Sequence, residues 1–195
     1  MMQETTSEAR ERVLDVAEQL FMEKGYKAVR LRDIADALGM KQASLYYHVP
    51  GGKEALFVEV AERTMQRHSA GLAQAAQAAA PHLEAQLGAI ARWLLSQPPM
   101  DLIRMLNSDM PSLDEEKAAV LMRVSYDAML LPLEQLFKAA EARGEIHQRD
   151  TILLAGVFLS IISSIHHAPI DVDYAEHVRM ADSMIDVMLN GLKRR

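Results

Sequence analysis

The chain has no cysteine in its 195 residues. Disulfides, iron–sulfur clusters and thiolate zinc sites are therefore excluded, which fits a reducing compartment. Aromatic residues make up 5% of the chain, and proline (7) and glycine (9) are scarce. With so few breakers, its Ala- and Leu-rich apolar runs favour helix throughout. No long hydrophobic run occurs: the longest, 152–165, is too short to span a bilayer and is interrupted by serines. Residues 1–12 are polar and charged with no apolar stretch after them, so no secretory signal is expected. A cytoplasmic location, away from any membrane, is the resulting expectation.

What is present is an ordinary globular balance, 50% hydrophobic and 25% charged, which supports a real core. Methionine is abundant, with 13 residues, and the net charge is −6. That sum argues against a polyanionic partner, but distribution matters more than the sum. Within 24–53 stand six basic residues (Lys24, Lys27, Arg30, Arg32, Lys41, Lys53) against two acidic ones, Asp33 and Asp36. The acidic residues concentrate just before, between Glu4 and Glu23.

Apolar periodicity predicts an all-α chain. A first helix is expected over 7–24, with Ser7 as N-cap, Val13, Leu14, Ala17, Leu20 and Phe21 as its apolar stripe, and Gly25 as its stop. A short helix follows over 31–38, its Ile34, Ala35 and Leu38 pointing inward. Gly39 breaks it, and another runs from 41 or 42 to 48. Further helices are expected over 53–79, 82–97, 100–108, 113–143, 150–167 and 174–192, punctuated by Pro81, Pro98-Pro99, Pro111, Gly144 and Pro169. Pro132 should kink or split the 113–143 segment, because it removes one helical hydrogen bond and clashes with the preceding turn. Two domains are expected, 1–52 and 53–195.

Two short helices around Gly39 suit a helix-turn-helix, whose second helix offers its N-terminal residues to the DNA major groove. Ala35 is small where the helices cross, Met40 fills the space beneath the turn, and Leu45 and Tyr46 are expected to anchor the second helix inward. Any helical hairpin with a glycine turn shares that spacing. The outward residues favour DNA: Lys41, Gln42, Ser44, Tyr47, His48 and Lys53 are donors, and no carboxylate occurs between Asp36 and Glu54.

The block Ile34-Ala35, Gly39-Met40, Ser44-Leu45-Tyr46-Tyr47-His48 and Lys53-Glu54-Ala55-Leu56, preceded by Ala17, Leu20-Phe21 and Gly25, resembles the N-terminal domain of the TetR (tetracycline-repressor-like) family. The resemblance implies a helix-turn-helix domain followed by a helical effector-binding and dimerisation domain. It makes Gln42 and Ala43 base-facing, makes Ser44, Tyr47, His48 and Lys53 phosphate contacts, and lets Lys41 serve as either. Arg30 and Arg32 are further DNA-binding candidates. Gln can pair bidentately with adenine, Ala can meet a thymine methyl, and hydroxyls and ammoniums fix register on phosphates. Three positions depart from the pattern. Val29-Arg30 stand where Thr or Ser usually caps the second helix, Val49 replaces a usual Phe, and Gly51-Gly52 replace a polar cap.

For the remainder, the resemblance implies a homodimer built on the last two helices, with Leu154, Phe158, Ile161 and Ile162 from the first and Ile185 and Met188 from the second. An effector pocket is implied among the middle helices, with Trp93, Met105, Met110, Met122, Tyr126, Met129, Phe158 and His166 as lining candidates. Abundant Met suits an apolar or aromatic small molecule. The implied activity is ligand-responsive regulation, a repressor on a palindromic double-stranded DNA operator, released by its effector.

Two other functional classes fit less well. An enzyme would need a nucleophile–base pair or a phosphate loop, and the sequence has no GxGxxG, GxxxxGK[ST], GxSxG or HExxH. No cofactor and no metal are expected: adjacent His166 and His167 diverge by about 100° on a helix, and Asp171 and Asp173 suit capping of the last helix. A purely structural helical module would not require the exposed donors of 41–53.

Overall fold

The computed structural model describes residues 2–99, 101, 104–168 and 172–191, with side chains from Glu8 onward. Among them are nine α-helices and no strand: α1 (Met2–Ala28), α2 (Leu31–Ala37), α3 (Gln42–His48), α4 (Gly52–Ala78), α5 (Leu83–Leu95), α6 (Glu115–Ser125), α7 (Leu131–Ala142), α8 (Thr151–His166) and α9 (Tyr174–Asn190). Among the described residues, no helix is long and apolar enough to cross a membrane. The chain forms two compact units, Met1–Thr64 with Asp101–Arg123 and Met65–Met100 with Val124–Arg195. Helices α4 and α6 each run from one unit into the other, so the units do not divide at a loop near residue 52.

In the first unit, α1 is helical from Met2, which places Ser7 inside the helix and not at its cap. Ser7's side chain lies outside the described residues. Val13, Leu14, Ala17 and Phe21 are buried, as their i, i+3, i+4 spacing requires. Gly25 breaks the helix at φ 80°, ψ 163°, a region that side chains with a Cβ avoid. The carbonyls freed at that end need donors, and Arg104 supplies them, its guanidinium reaching the carbonyls of Phe21, Met22 and Glu23. Asp109, buried and 3.6 Å from Arg104 Nε, accepts the backbone N–H of Tyr26 at 3.0 Å. From α4, Lys53 Nζ donates to the carbonyls of Tyr26 (2.7 Å) and Val29 (2.9 Å) and lies 4.1 Å from the centre of the Tyr26 ring. Burial pushes the Lys53 ammonium below the usual lysine range, and Asp109 and Asp33 oppose that shift. Phe21, Tyr26 and Phe57 stack around the same corner, with Phe21 and Phe57 edge to face at 5.1 Å.

The second unit is a helical core of Leu72, Leu83, Leu87, Ile90, Leu133, Phe137, Phe158 and Ile185. In it α5 packs on α9, and α8 packs on both α7 and α9. Trp93 lies flat against Gly71 of α4 and meets the edge of His68 at 5.3 Å. The expected 113–143 helix is continuous through Pro132 only because residues Tyr126–Leu130 adopt the wider π-helical register just before it. The ladder slips by one residue where proline can neither donate nor tolerate the preceding carbonyl. Asp150 caps α8 by accepting Leu153 N–H, and Asp173 caps α9 by accepting Glu176 N–H. Pro169 and Asp171, the other expected punctuation there, lie outside the described residues.

Two glycines should fail for different reasons. A Cβ at Gly71 would stand 2.0 Å from the Trp93 ring, whereas one at Gly39 (φ 65°) meets nothing within 4 Å. Gly71→Ala should cost about 1–3 kcal/mol by overpacking, and Gly39→Ala roughly 1–2 kcal/mol by backbone strain alone. Asn tolerates positive φ, so Gly39→Asn should recover most of the loss while Gly71→Asn should not; urea unfolding checks both. Lys53→Met leaves two carbonyls without their donor and should lower stability by roughly 1–3 kcal/mol, read as a shift of the urea midpoint at constant slope.

Candidate nucleic-acid interface

Arg30 precedes α2 in extended conformation and has no side-chain oxygen to cap it. The cap comes from the other direction: the Asp33 carboxylate accepts the Arg30 backbone N–H at 2.7 Å, the return half of a capping box. The missing Thr or Ser is thus compensated within the same turn. At the far end, Leu38 N–H reaches Ile34, Gly39 N–H reaches Asp36 and Met40 N–H reaches Ala35, all at 3.0–3.1 Å. Three donors in sequence close the turn and start the chain toward α3 in a new direction.

Helix α3 is held by one face. Leu45 and Val49, four residues apart, are buried at 0% and 3% exposure. Arg10 of α1 donates to the carbonyl of His48 at 3.1 Å and pairs with Glu59 of α4 at 2.6 Å, fixing the C-terminal end of α3 between two helices. The opposite face is open. Lys41, Gln42, Ala43 and Ser44 are exposed, as is Tyr47 at 75%. His48 is half-buried, its ring edge-on to Tyr47 at 5.4 Å, and its Nδ1 is enclosed without a hydrogen-bond partner among the described residues.

Two sequence expectations change here. Tyr46 is 51% exposed and does not anchor α3. It follows Leu45 by one residue, about 100° around the helix, and sits one turn after Gln42 on the open side. That spacing was available in the sequence. Lys53 does not extend to solvent, because its ammonium is committed to the Tyr26 and Val29 carbonyls. Arg30 and Arg32 lie at the start of α2 and are exposed, with Arg32 in a loose 3.6 Å pair with Asp36. Arg10, whose role depends on a partner 38 residues away, had no local signal.

The residues expected to line an effector pocket divide between the two units. Met105, Met110 and Met122 belong to the first unit, the first two buried and Met122 48% exposed; the rest belong to the second. Trp93 packs on Gly71, Met129 and Phe158 are buried, and Tyr126 donates from its hydroxyl to Glu134 at 3.3 Å. His166 is half-buried at the end of α8.

An open groove of ≈ 1260 Å³ runs along α8 and α9 in the second unit, lined by Leu153, Val157, Ser160, Ile161, Met180 and Met184 among others. Neither it nor the two smaller crevices of ≈ 260 and ≈ 300 Å³ is lined by any of those eight pocket candidates. Of the six residues expected at a dimer contact, Ile161 lines this groove, while Phe158, Ile162 and Ile185 are buried inside the unit and Leu154 and Met188 are half-buried. Helix α8 is apolar on nearly all sides, so its sequence did not reveal which face turns inward. Residues 155, 158, 159, 162 and 165 do, and Leu153 (61% exposed) and Val157 (41%) face out.

Known proteins agree with this geometry. Residues 13–60 match the family model of bacterial regulatory proteins of the tetR family. The HTH-type transcriptional regulator LmrA of Bacillus subtilis is 44% identical over 52 residues, which is 27% of this chain and 28% of LmrA. This alignment thus spans little more than a quarter of that relative. The crystal structure of the TetR family transcriptional regulator PfmR from Thermus thermophilus superposes with a TM-score of 0.70 at 26% identity, over 95% of this chain and 98% of PfmR. AibR, solved with isovaleryl coenzyme A and operator DNA, shares the fold at a TM-score of 0.74 and 21% identity, over 92% of this chain and 97% of AibR. Residues 13–60 thus match the helix-turn-helix domain of the tetR family of bacterial regulatory proteins, and the all-helical fold is shared with a solved TetR family regulator along nearly the whole length of the chain.

Proposed function

We propose that the chain is a ligand-responsive transcriptional repressor that binds a palindromic operator as a homodimer. The observation that carries this reading is the open face of α3: Lys41, Gln42, Ala43, Ser44, Tyr46 and Tyr47, exposed and free of carboxylates, on a helix pinned from behind by Leu45, Val49 and Arg10. An α-helix fits the major groove, about 12 Å wide. Gln42 and Ala43 at the start of α3 meet base edges there, and Ser44, Tyr47 and Lys41 fix the register on phosphates. Lys53 acts one step back, by holding the corner from which α2 departs.

One such helix reads only a few base pairs, so two copies on half-sites about one helical turn (~34 Å) apart are required for specificity. The second copy docks on the α8–α9 groove. Its rim carries Ile152, Leu153, Val157 and Met184, all exposed in the single chain, and apolar surface of that extent is unfavourable in water. A dimer seated on a promoter represses by occupancy. Effector binding in the second unit shifts the population toward dimers whose reading helices are wrongly spaced, and DNA affinity falls. The ligand and operator held by AibR support this arrangement by fold alone. The effector proposed for this chain is a small apolar or aromatic molecule.

Genomic fragments selected by the purified protein should share a palindrome and bind it with steep salt dependence. Lys41→Ala should reduce the slope of log affinity against log salt by about 1, while Gln42→Ala should cost about 1–3 kcal/mol and relax the preference at one base pair. Selection that returns no sequence preference above random DNA would sink the regulator reading. For the dimer, Val157→Glu should leave the protomer folded, since exposed positions shift stability by about 0.5 kcal/mol or less. It should convert the protein to a monomer by light scattering and weaken operator binding; a variant that stays dimeric places the interface elsewhere.

A further inference from the structure

At the corner where α8 ends and α9 begins, three imidazoles meet. His166, in the last turn of α8, has its ring centre 6.2 Å from that of His167 and 6.2 Å from that of His177, one turn into α9. Among the described residues, the charged or titratable groups acting on His166 are His167 and His177, and no carboxylate offsets them. Two acids of the first turn of α9 are engaged elsewhere: Asp173 accepts the Glu176 N–H, and Glu176 pairs with Arg179. His167 is directed back along α8 by the contact of its Nδ1 with the Ser163 carbonyl at 2.8 Å. Burial, first, and then the two neighbouring imidazoles hold His166 below the ordinary imidazole range. The cluster is next to the groove in sequence on both helices: Ser164, Ile165 and Glu176 line it.

We propose that the His166–His167–His177 cluster is a proton switch that loosens the α8–α9 corner on acidification and so weakens the surface on which the second copy docks. The second half rests on the dimer reading above; the first does not. The direction follows from the depressed group. With His166 neutral the three rings pack without charge, and this contribution is complete above the unfolded imidazole value of about 6.5. As the pH falls below that value and through the lower folded one, imidazolium must form in a half-buried site beside two further imidazoles, and the contribution is lost.

The test follows the ring Cε1–H resonances of His166, His167 and His177 in the wild-type chain, assigned with single His→Gln variants, from about pH 8 to about pH 5, the interval that brackets histidine titration. It is paired with light scattering and thermal unfolding at each pH. His166 should titrate below the ordinary imidazole range. The dimer dissociation constant should rise about tenfold across the interval, a typical coupling, and His166→Gln, which carries no charge at any pH, should flatten that rise. Titration of His166 at or above the ordinary range overturns the proposal without needing any variant, and so does a His166→Gln profile parallel to wild type. A chain that is monomeric at every pH removes the dimer reading instead. The proton switch then stands or falls on the NMR titration and on whether His166→Gln reduces the acid loss of melting temperature.

Discussion

Around the break that Gly25 makes in α1, and on to the start of α2, the backbone carries carbonyls that no helix satisfies, because the ladder cannot continue through Gly25's conformation. Two cations and a buried carboxylate take up the free groups: Arg104 on the last turn of α1, Asp109 on the Tyr26 N–H, and Lys53 on the carbonyls of Tyr26 and Val29. Since α2 starts just after Val29, its direction is set at this corner. Helix α3 inherits that direction through the three-donor turn at Gly39. The interactions that aim α3 are therefore made by residues whose polar groups are already committed to the protein backbone.

That arrangement separates two tasks that a surface residue could not perform together. The ammonium of Lys53 and the guanidinium of Arg10 are tied to protein carbonyls or carboxylates and act on backbone position. The side chains of Lys41, Gln42, Ser44 and Tyr47 remain exposed, available to the proposed operator. Charge balance follows the same division. The chain as a whole is not basic, but its early acids are concentrated on α1 and none interrupts the stretch between Asp36 and Glu54, so the local field at α3 opposes the sign of the net charge.

The second unit works under a different constraint. Its α8 is apolar on nearly every side, and a helix of that kind must be covered twice. The buried set at 155, 158, 159, 162 and 165 accounts for one cover, supplied by α7 and α9. The outward set around Leu153 and Val157 leaves the groove that the proposed second copy fills.

Local pattern was enough for the helical class, the order of the helices, the break at Gly25, the turn at Gly39 and the donor-rich start of α3. Each of these depends on neighbours within a turn or two, where spacing and residue type are sufficient. Long-range packing fixed what spacing cannot carry. It turned Tyr46 outward because Leu45 and Val49 took the core, and it recruited Lys53 to a corner 24–27 residues earlier. It selected the buried face of α8, and it brought His177 to His166 across a helical turn-around. In every such case the deciding contact lies between residues on different elements. A sequence pattern records only that a side chain is apolar, charged or titratable, not which distant group it will meet.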